Sequence, residues 1–124
     1  MTSETVETLK ALADLSRLRI VNLLWEAEDL CSCEIERILD LKQSNASRHL
    51  HRLRETKLLD TYKKSQWTHY RISQQHRGND NFLQPIISSA RTAGSPFTDD
   101  LGRLQNYRER GFSCATIHGW VPFE

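Results

Sequence analysis

The residues of this chain best suited to metal or redox chemistry are its three cysteines, Cys31, Cys33 and Cys114. Cys31 and Cys33 stand two positions apart, a spacing that cannot place both side chains on one face of a helix. An extended segment that leads into a helix can bring two such sulfur atoms together, and the free N–H groups at the helix start lower the pKa of a thiol there. Because thiolates are ligands for soft metals and metalloids, we expect this pair to bind such an ion.

A basic segment in the middle of the chain is the second feature with chemical consequences. Residues 42–77 contain nine Lys and Arg against two Asp and Glu, so this segment carries +7 while the rest of the chain carries −6 of the net +1. Four of the five histidines lie in the same segment. A basic middle between acidic ends favours a surface that binds a polyanion, although a solvated charged face would explain the charge alone equally well.

The composition describes one small globular domain. The chain has 124 residues, a mass of 14.4 kDa and a mean hydropathy of -0.60. This size excludes a two-domain enzyme, and no apolar stretch approaches the roughly 20 residues that a membrane span needs. Glu4 and Glu7 stand where a secretory leader would be basic, so we expect a cytoplasmic protein with free thiols and no disulfide framework. No phosphate loop, Gly-x-Ser-x-Gly elbow or His-Glu-x-x-His pattern occurs, and we predict that the protein is not an enzyme.

Hydrophobic periodicity predicts a mainly α-helical fold with a small β-hairpin. Four helices are expected in the first half, at about residues 3–13, from residue 15 onward behind an N-cap at Asp14, at 32–40 and at 43–56. The third and fourth are close enough in sequence to form a helix-turn-helix, and the polar face of the fourth can enter a DNA major groove.

The second half of the sequence predicts a wing and a C-terminal extension. Alternating side chains at residues 59–72 indicate a β-hairpin with Lys63 and Lys64 near its tip, which is the wing of a winged helix. Two further helices are expected at 81–93 and 99–110, with Thr98 as the cap of the second. An aromatic arm at residues 112–124 carries Cys114.

Four strings of the sequence resemble the ArsR/SmtB family of arsenic- and metal-responsive transcriptional repressors. They are LKALAD at 9–14, LCSCEI at 30–35, QSNASRHL at 43–50 and WTHYRI at 67–72, within a similarity from about residue 6 to residue 74. The resemblance implies a homodimeric winged helix-turn-helix that binds double-stranded operator DNA at an inverted repeat and leaves it when a soft metalloid binds. It assigns residues 1–95 to DNA binding and dimerisation, and residues 96–124 to a C-terminal helix and arm.

The expected DNA contacts lie on the outer face of the fourth helix and at the wing tip. Short side chains near the helix start allow a close approach to base edges, and Arg48 can reach a guanine or a phosphate. The family usually has a small hydroxyl residue at the helix cap, where this chain has Lys42, and we expect a phosphate to offset that charge. The full set is Lys42, Gln43, Ser44, Asn45, Ser47, Arg48, His51, Arg52, Lys63 and Lys64.

Dimer contacts are expected from the first helix and from the segment at 81–93. The candidate residues are Leu9, Phe82, Leu83, Ile86 and Ile87. The alternative is that these side chains fill only the core of their own subunit.

The ligand set of the thiol site departs from the family pattern. In arsenic-sensing members a third cysteine follows three residues after the second, and this chain has Glu36 there. As(III), as arsenite, and antimonite favour three thiolates in a pyramid, so Cys31, Cys33 and Cys114 are the minimal complete set. We expect Cys114 to supply the third sulfur, from the same subunit or its partner. If it stays remote, Cys31 and Cys33 suit methylarsenite, which needs two thiolates. No organic cofactor is expected.

Several other readings of the thiols remain open at this point. Cys31 and Cys33 with His118 or His76 could hold tetrahedral zinc, and cadmium or lead would also accept thiolates. A helix-borne zinc, nickel or cobalt site is disfavoured because residues 81–93 contain no histidine or carboxylate. A redox switch that joins Cys31 or Cys33 to Cys114 would share the fold. A metalloid-binding chaperone without a DNA target would explain the thiols but not the basic helix and wing.

Overall fold

The computed structural model describes residues 3–78 and 81–122 and shows a mainly helical chain with one small sheet. In these residues the elements are α1 (Glu4–Leu12), α2 (Leu15–Ala27), β1 (Asp29–Cys31), α3 (Ser32–Leu39), α4 (Gln43–Glu55), β2 (Leu59–Lys64), β3 (Trp67–Ile72), α5 (Leu83–Ala93) and α6 (Phe97–Glu109). Short 3₁₀ turns occur at Gln74–His76 and Ile117–Gly119. The predicted fold class is confirmed, because α3 and α4 form the helix-turn-helix and the β2–β3 hairpin follows it as the wing. None of the helices in the described ranges is both long and apolar enough to span a membrane.

Local capping fixes the boundaries of the first helices close to where the sequence places them. The Ser3 hydroxyl accepts the Val6 N–H at the start of α1, and the Asp14 carboxylate accepts the Arg17 N–H at the start of α2. Asp40 adopts a left-handed conformation with φ of 56° and turns the chain between α3 and α4. These bonds join residues close in sequence, which is why the pattern predicts them.

The two last helices begin at other residues than expected. α5 starts at Leu83 rather than at residue 81, because the Asn81 side chain accepts the Leu83 N–H and ends the preceding turn. α6 starts at Phe97, and its cap is Pro96 rather than Thr98. Phe97 is buried, so its packing lets the helix begin two residues before the predicted start at residue 99.

The sheet contains a third strand that the sequence analysis does not predict. β1 pairs antiparallel with β3, and the strand order is β1-β3-β2. The three residues of β1 are too few to show alternation, so only their partner on β3 defines them as a strand. The register places Cys31 directly opposite His69, which itself lies opposite Tyr62 on β2.

The core forms around α2, which crosses the molecule. Its residues Ile20, Val21, Leu23 and Leu24 are fully buried. α6 packs across α2, and the guanidinium of Arg19 forms a two-pronged ion pair with the buried carboxylate of Asp100 at 2.8 and 2.9 Å. The C-terminal helix is therefore attached to the core helix by a buried ion pair as well as by apolar contacts.

The expected dimer contacts require one correction. Leu83 and Ile87 are 0% and 2% exposed and belong to the core of their own chain, so they are not available to a partner. Phe82 and Ile86 are partly buried against the same core. Leu9, by contrast, is 44% exposed on α1. The apolar spacing of Leu83 and Ile87 therefore reports this chain's own core, while Phe82 and Ile86 stay predicted dimer contacts.

Candidate functional site

The three cysteine sulfur atoms lie together, all within 4.8 Å of one another, and are called here the sulfur cluster. Cys31 ends β1 and is the N-cap of α3, while Cys33 lies in the first turn of that helix. The extended backbone of Cys31, with φ of −80° and ψ of 165°, lets its Sγ approach the Sγ of Cys33 to 2.9 Å. All three cysteines are free thiols, and the third comes from the C-terminal arm of the same chain.

Contacts with α3 and α6 hold the arm in place. Gly111, with φ of 77°, turns the chain after α6 in a conformation that a side chain would strain. Phe112 then stacks on Tyr107 of α6, and the buried Trp120 contacts the same tyrosine ring. Arg37 of α3 donates to the Trp120 carbonyl at 2.7 Å. These contacts on both sides of Cys114 direct its thiol toward the start of α3.

Glu34 is a site residue that the sequence motifs do not single out. One of its carboxylate oxygens accepts the Cys31 N–H at 2.9 Å and lies 3.3 Å from the Cys114 Sγ. The other oxygen accepts the hydroxyl of Tyr107. Burial and this carboxylate raise the pKa of Tyr107, so its hydroxyl stays protonated and donates. Glu34 thus joins α3, α6 and the arm around the sulfur cluster.

Two thiols of the cluster, those of Cys31 and Cys114, are harder to ionise than the helix start suggests. Burial raises the pKa of Cys31, and the neighbouring thiols add to this effect. Burial also raises the pKa of Cys114 to about 11. The expectation of lowered thiol pKa values at this helix start is therefore wrong for Cys31, because desolvation outweighs the helix N–H groups. At neutral pH a ligand meets protonated thiols at Cys31 and Cys114.

His69 on β3 lies beside the cluster and is a second residue that the sequence analysis misses as a site residue. Its Nε2 lies 3.9 Å from the Cys114 Sγ, and its Nδ1 lies 2.8 Å from a carboxylate oxygen of Asp29. The ring is buried and stacks on Tyr62. The sequence signal is the string WTHYRI at 67–72, but strand alternation alone does not show what the ring faces.

The other histidines considered as zinc ligands do not join the cluster in the described residues. His76 is buried, and its Nδ1 pairs with the Ser73 hydroxyl at 2.8 Å. His118 is exposed and lines a separate cavity of about 450 Å³ on the other side of Cys33. Glu36, at the position of the family's third cysteine, lines that same cavity.

The fourth helix and the wing expose the basic surface predicted for DNA. One face of α4 packs inward through Ala46, His49, Leu50 and Leu53. His49 pairs with Arg17 inside the fold, and burial lowers its pKa. The opposite face is exposed at Gln43, Ser44, Asn45, Ser47, Arg48 and His51, and the exposed Lys42, Lys63 and Lys64 flank it. Arg52 is half-buried and lies 3.8 Å from Glu7. The arrangement presents one polar helix face and a basic hairpin tip to solvent.

Sequence relatives of the chain are regulators. Residues 14–61 match the family model described as bacterial regulatory protein, arsR family. The chain is 47% identical over 68 residues to the arsenical resistance operon repressor of Escherichia coli K12. The aligned stretch is 55% of this chain and 58% of the length of that repressor. It is 32% identical over 107 residues to the arsenic resistance transcriptional regulator ArsR1 of Pseudomonas putida KT2440, covering 86% of this chain and 84% of the relative. The relatives are regulators and not enzymes, as the sequence analysis predicts.

A solved structure shows the same fold. HlyU from Vibrio cholerae N16961 superposes with a TM-score of 0.60 at 30% identity, over 73% of this chain and 91% of that one. The fold, the helix-turn-helix and the long alignment with the Pseudomonas regulator agree with the family resemblance of the sequence strings. The chain belongs to the ArsR family of bacterial regulatory proteins.

Proposed function

We propose that the chain is a homodimeric repressor that binds operator DNA and releases it when trivalent arsenic binds Cys31, Cys33 and Cys114. The observation that carries this proposal is the sulfur cluster, in which three free thiols from distant parts of the sequence lie within 4.8 Å of one another. Soft thiolate sulfur is the donor that a soft metalloid prefers. The relatives named for arsenical resistance support the same inducer.

The chemistry of arsenous acid suits thiols that remain protonated. Each As–OH group is exchanged for an As–S bond, and the thiol proton leaves with the hydroxide as water. Three exchanges consume three thiols and release three waters, with no net proton released. The raised pKa of Cys31 and Cys114 therefore does not oppose arsenite binding. Antimonite follows the same stoichiometry, and methylarsenite needs two of the three thiols.

DNA binding is assigned to α4 and the wing. The exposed face of α4 carries short polar side chains at its start and Arg48 one turn later, a pattern suited to base edges and phosphates in a major groove. Lys63 and Lys64 at the end of β2 are placed to reach the DNA backbone. A DNA target places the protein in the cytoplasm.

Dimerisation is assigned to α1. Val6 and Leu9 are 40% and 44% exposed on this helix and stand three residues apart, so they share one face that a partner could cover. A second copy would cover them and orient two α4 helices toward successive major grooves. Two-fold symmetry then implies an operator with inverted half-sites about one DNA turn apart.

Inducer binding is coupled to DNA release through α3. The sulfur cluster lies at the N-terminus of α3, which is the first helix of the helix-turn-helix. Drawing Cys31 and Cys33 toward Cys114 around one arsenic atom shifts or distorts that first turn, and α4 packs against α3. A coupling free energy of about 1–3 kcal/mol would weaken operator binding about 5- to 150-fold.

The direct test is a fluorescence-anisotropy titration of an operator fragment from the DNA upstream of the gene. Reduced wild-type protein is expected to bind the fragment and to lose affinity about 5- to 150-fold with arsenite. A variant with Cys31, Cys33 and Cys114 all replaced by serine should bind DNA and ignore arsenite. Diamide without arsenite serves as the redox arm, and release by diamide alone would favour a thiol switch. Absence of DNA binding at low salt would refute the repressor and favour a chaperone.

The wing lysines are expected to set part of the salt dependence of DNA binding. Each phosphate contact contributes about 0.9 to the slope of log affinity against log salt. Replacing Lys63 and Lys64 by glutamine in both subunits should therefore reduce the steepness of that slope by about 3 to 4, with binding weakened on all sequences alike. Lys10→Gln on α1 is the control and should leave the slope unchanged. An unchanged slope in the wing variant would remove the wing from the DNA interface.

A further inference from the structure

We propose that His69 supplies a nitrogen ligand beside the three thiols, so that this chain also holds a divalent zinc or cadmium ion in a tetrahedral Cys₃His site. The inference rests on the sulfur cluster of the proposed function, but it adds a residue and a class of ligand. A d¹⁰ divalent ion takes four ligands, whereas trivalent arsenic in a pyramid takes three. His69 is therefore required for the divalent ion and dispensable for arsenic.

The distances around Cys114 suit such a site. With Zn–S bonds of about 2.3 Å and Zn–N bonds of about 2.0 Å, neighbouring ligand atoms of a tetrahedron lie about 3.6–3.8 Å apart. The Nε2 of His69 lies 3.9 Å from the Cys114 Sγ, and the three sulfur atoms lie within 4.8 Å of one another. His69 thus adjoins the sulfur cluster at Cys114, and the side chains must move so that all four donors reach one ion.

Asp29 fixes the orientation of the imidazole. Its carboxylate accepts the Nδ1–H of His69 at 2.8 Å, which leaves the lone pair on Nε2 and directs it toward Cys114. A carboxylate on the other ring nitrogen is the usual outer partner of a histidine that binds a metal. His76 lacks this arrangement, because its Nδ1 pairs with the Ser73 hydroxyl.

The sheet register keeps the fourth donor in position. Cys31 and His69 are direct partners across the β1–β3 pair, so their side chains leave the same face of the sheet. Tyr62, the next partner across the sheet, stacks on the ring with centroids 5.4 Å apart. Little rotamer freedom remains to be lost when the ring binds an ion.

An open cavity gives an ion access to these donors. It has a volume of about 340 Å³ and is lined by Asp29, Glu34, His69 and Cys114, among others. The carboxylates of Asp29 and Glu34 in this lining attract a cation. Thiol protons released by the bound cysteines pass to solvent through the same opening.

Cobalt is the probe, because it replaces zinc and reports its ligands by absorption. Reduced full-length wild type is titrated with Co²⁺, and the d–d bands of a tetrahedral S₃N site are expected, followed by their loss on adding Zn²⁺. His69→Ala should lose the tetrahedral spectrum and bind Zn²⁺ at least about 100-fold more weakly, and Asp29→Asn should bind about 10- to 100-fold more weakly. His118→Ala is the matched control and should match the wild type.

Arsenite titration of the same proteins separates this inference from the proposed function. His69→Ala should bind arsenite as tightly as the wild type. Unchanged cobalt spectra in His69→Ala would overturn the nitrogen ligand, while loss of arsenite binding by the wild type would overturn the arsenic site instead. If His69→Ala fails to fold, long-range ¹H–¹⁵N spectra of the wild type decide. Zn²⁺ should shift Nε2 of His69 and leave Nδ1 protonated, and an unmoved Nε2 would refute the proposal.

Discussion

Replacing Cys114 with serine is expected to abolish release of operator DNA by arsenite while leaving DNA binding intact. A serine hydroxyl is a hard donor and does not replace a thiolate on arsenic. Loss of even an outer partner of a metal ligand costs about 10- to 100-fold in affinity, so loss of one of three ligands should cost about 100-fold or more. Cys114 belongs to the C-terminal arm and not to α4 or the β2–β3 hairpin, so the substitution removes no predicted DNA contact.

Operator anisotropy with increasing arsenite measures this effect, and methylarsenite supplies the internal check. Methylarsenite needs two thiolates. The variant keeps Cys31 and Cys33, whose Sγ atoms lie 2.9 Å apart in the wild-type chain. Cys114→Ser should therefore still respond to methylarsenite. Ser113→Ala, at the exposed neighbouring position, should behave as wild type. Equal release of wild type and Cys114→Ser by arsenite would reduce the sensor to the pair on α3.

Replacing Asp100 with alanine is expected to lower the free energy of unfolding by about 3–5 kcal/mol, because it leaves the Arg19 guanidinium without its buried carboxylate. Asp100 is fully buried and accepts from both Arg19 and Arg103. Its bond to Arg19 raises the pKa of that guanidinium. Because arginine is effectively always protonated in proteins, Arg19 stays charged when this partner is removed. The variant should also loosen α6 and the arm that carries Cys114.

Urea denaturation at one fixed protomer concentration measures this loss, since dimerisation makes stability concentration-dependent. Asp99→Ala is the matched control. Asp99 lies one residue earlier in the same first turn of α6, is exposed and accepts the Ser95 hydroxyl. Its replacement should cost below about 1 kcal/mol. A similar small loss in Asp100→Ala would show that the ion pair contributes little to attachment of α6.

Features set by neighbouring residues could be predicted from the sequence. Asp14 caps α2 through a bond three residues away, and the inward spacing of Ala46, Leu50 and Leu53 defines the buried face of α4. Strand alternation likewise indicates the hairpin. Each of these signals depends on a period or a cap within one element, so no knowledge of the partner element is needed.

The sequence also determined which atoms are available for chemistry, though not where they meet. It contains three thiols and one basic helix face, and it predicts a third sulfur from the arm. That Cys114 lies against the N-terminus of α3 depends on Gly111, on the stack of Phe112 on Tyr107 and on the hold of Arg37 on the arm. Two of the decisive contacts, from Arg37 to Trp120 and from Cys114 to Glu34, span 83 and 80 residues of sequence.

Only the tertiary structure decided the surroundings of the thiols. β1 exists through pairing with β3, and that register brings His69 opposite Cys31. The same packing buries Leu83 and Ile87 in their own core and raises the pKa of Cys31 by desolvation. Sequence patterns record the preferences of one element at a time. Burial, register and proximity between distant side chains arise only when the elements pack, and these decide which thiols, carboxylates and imidazoles share one site.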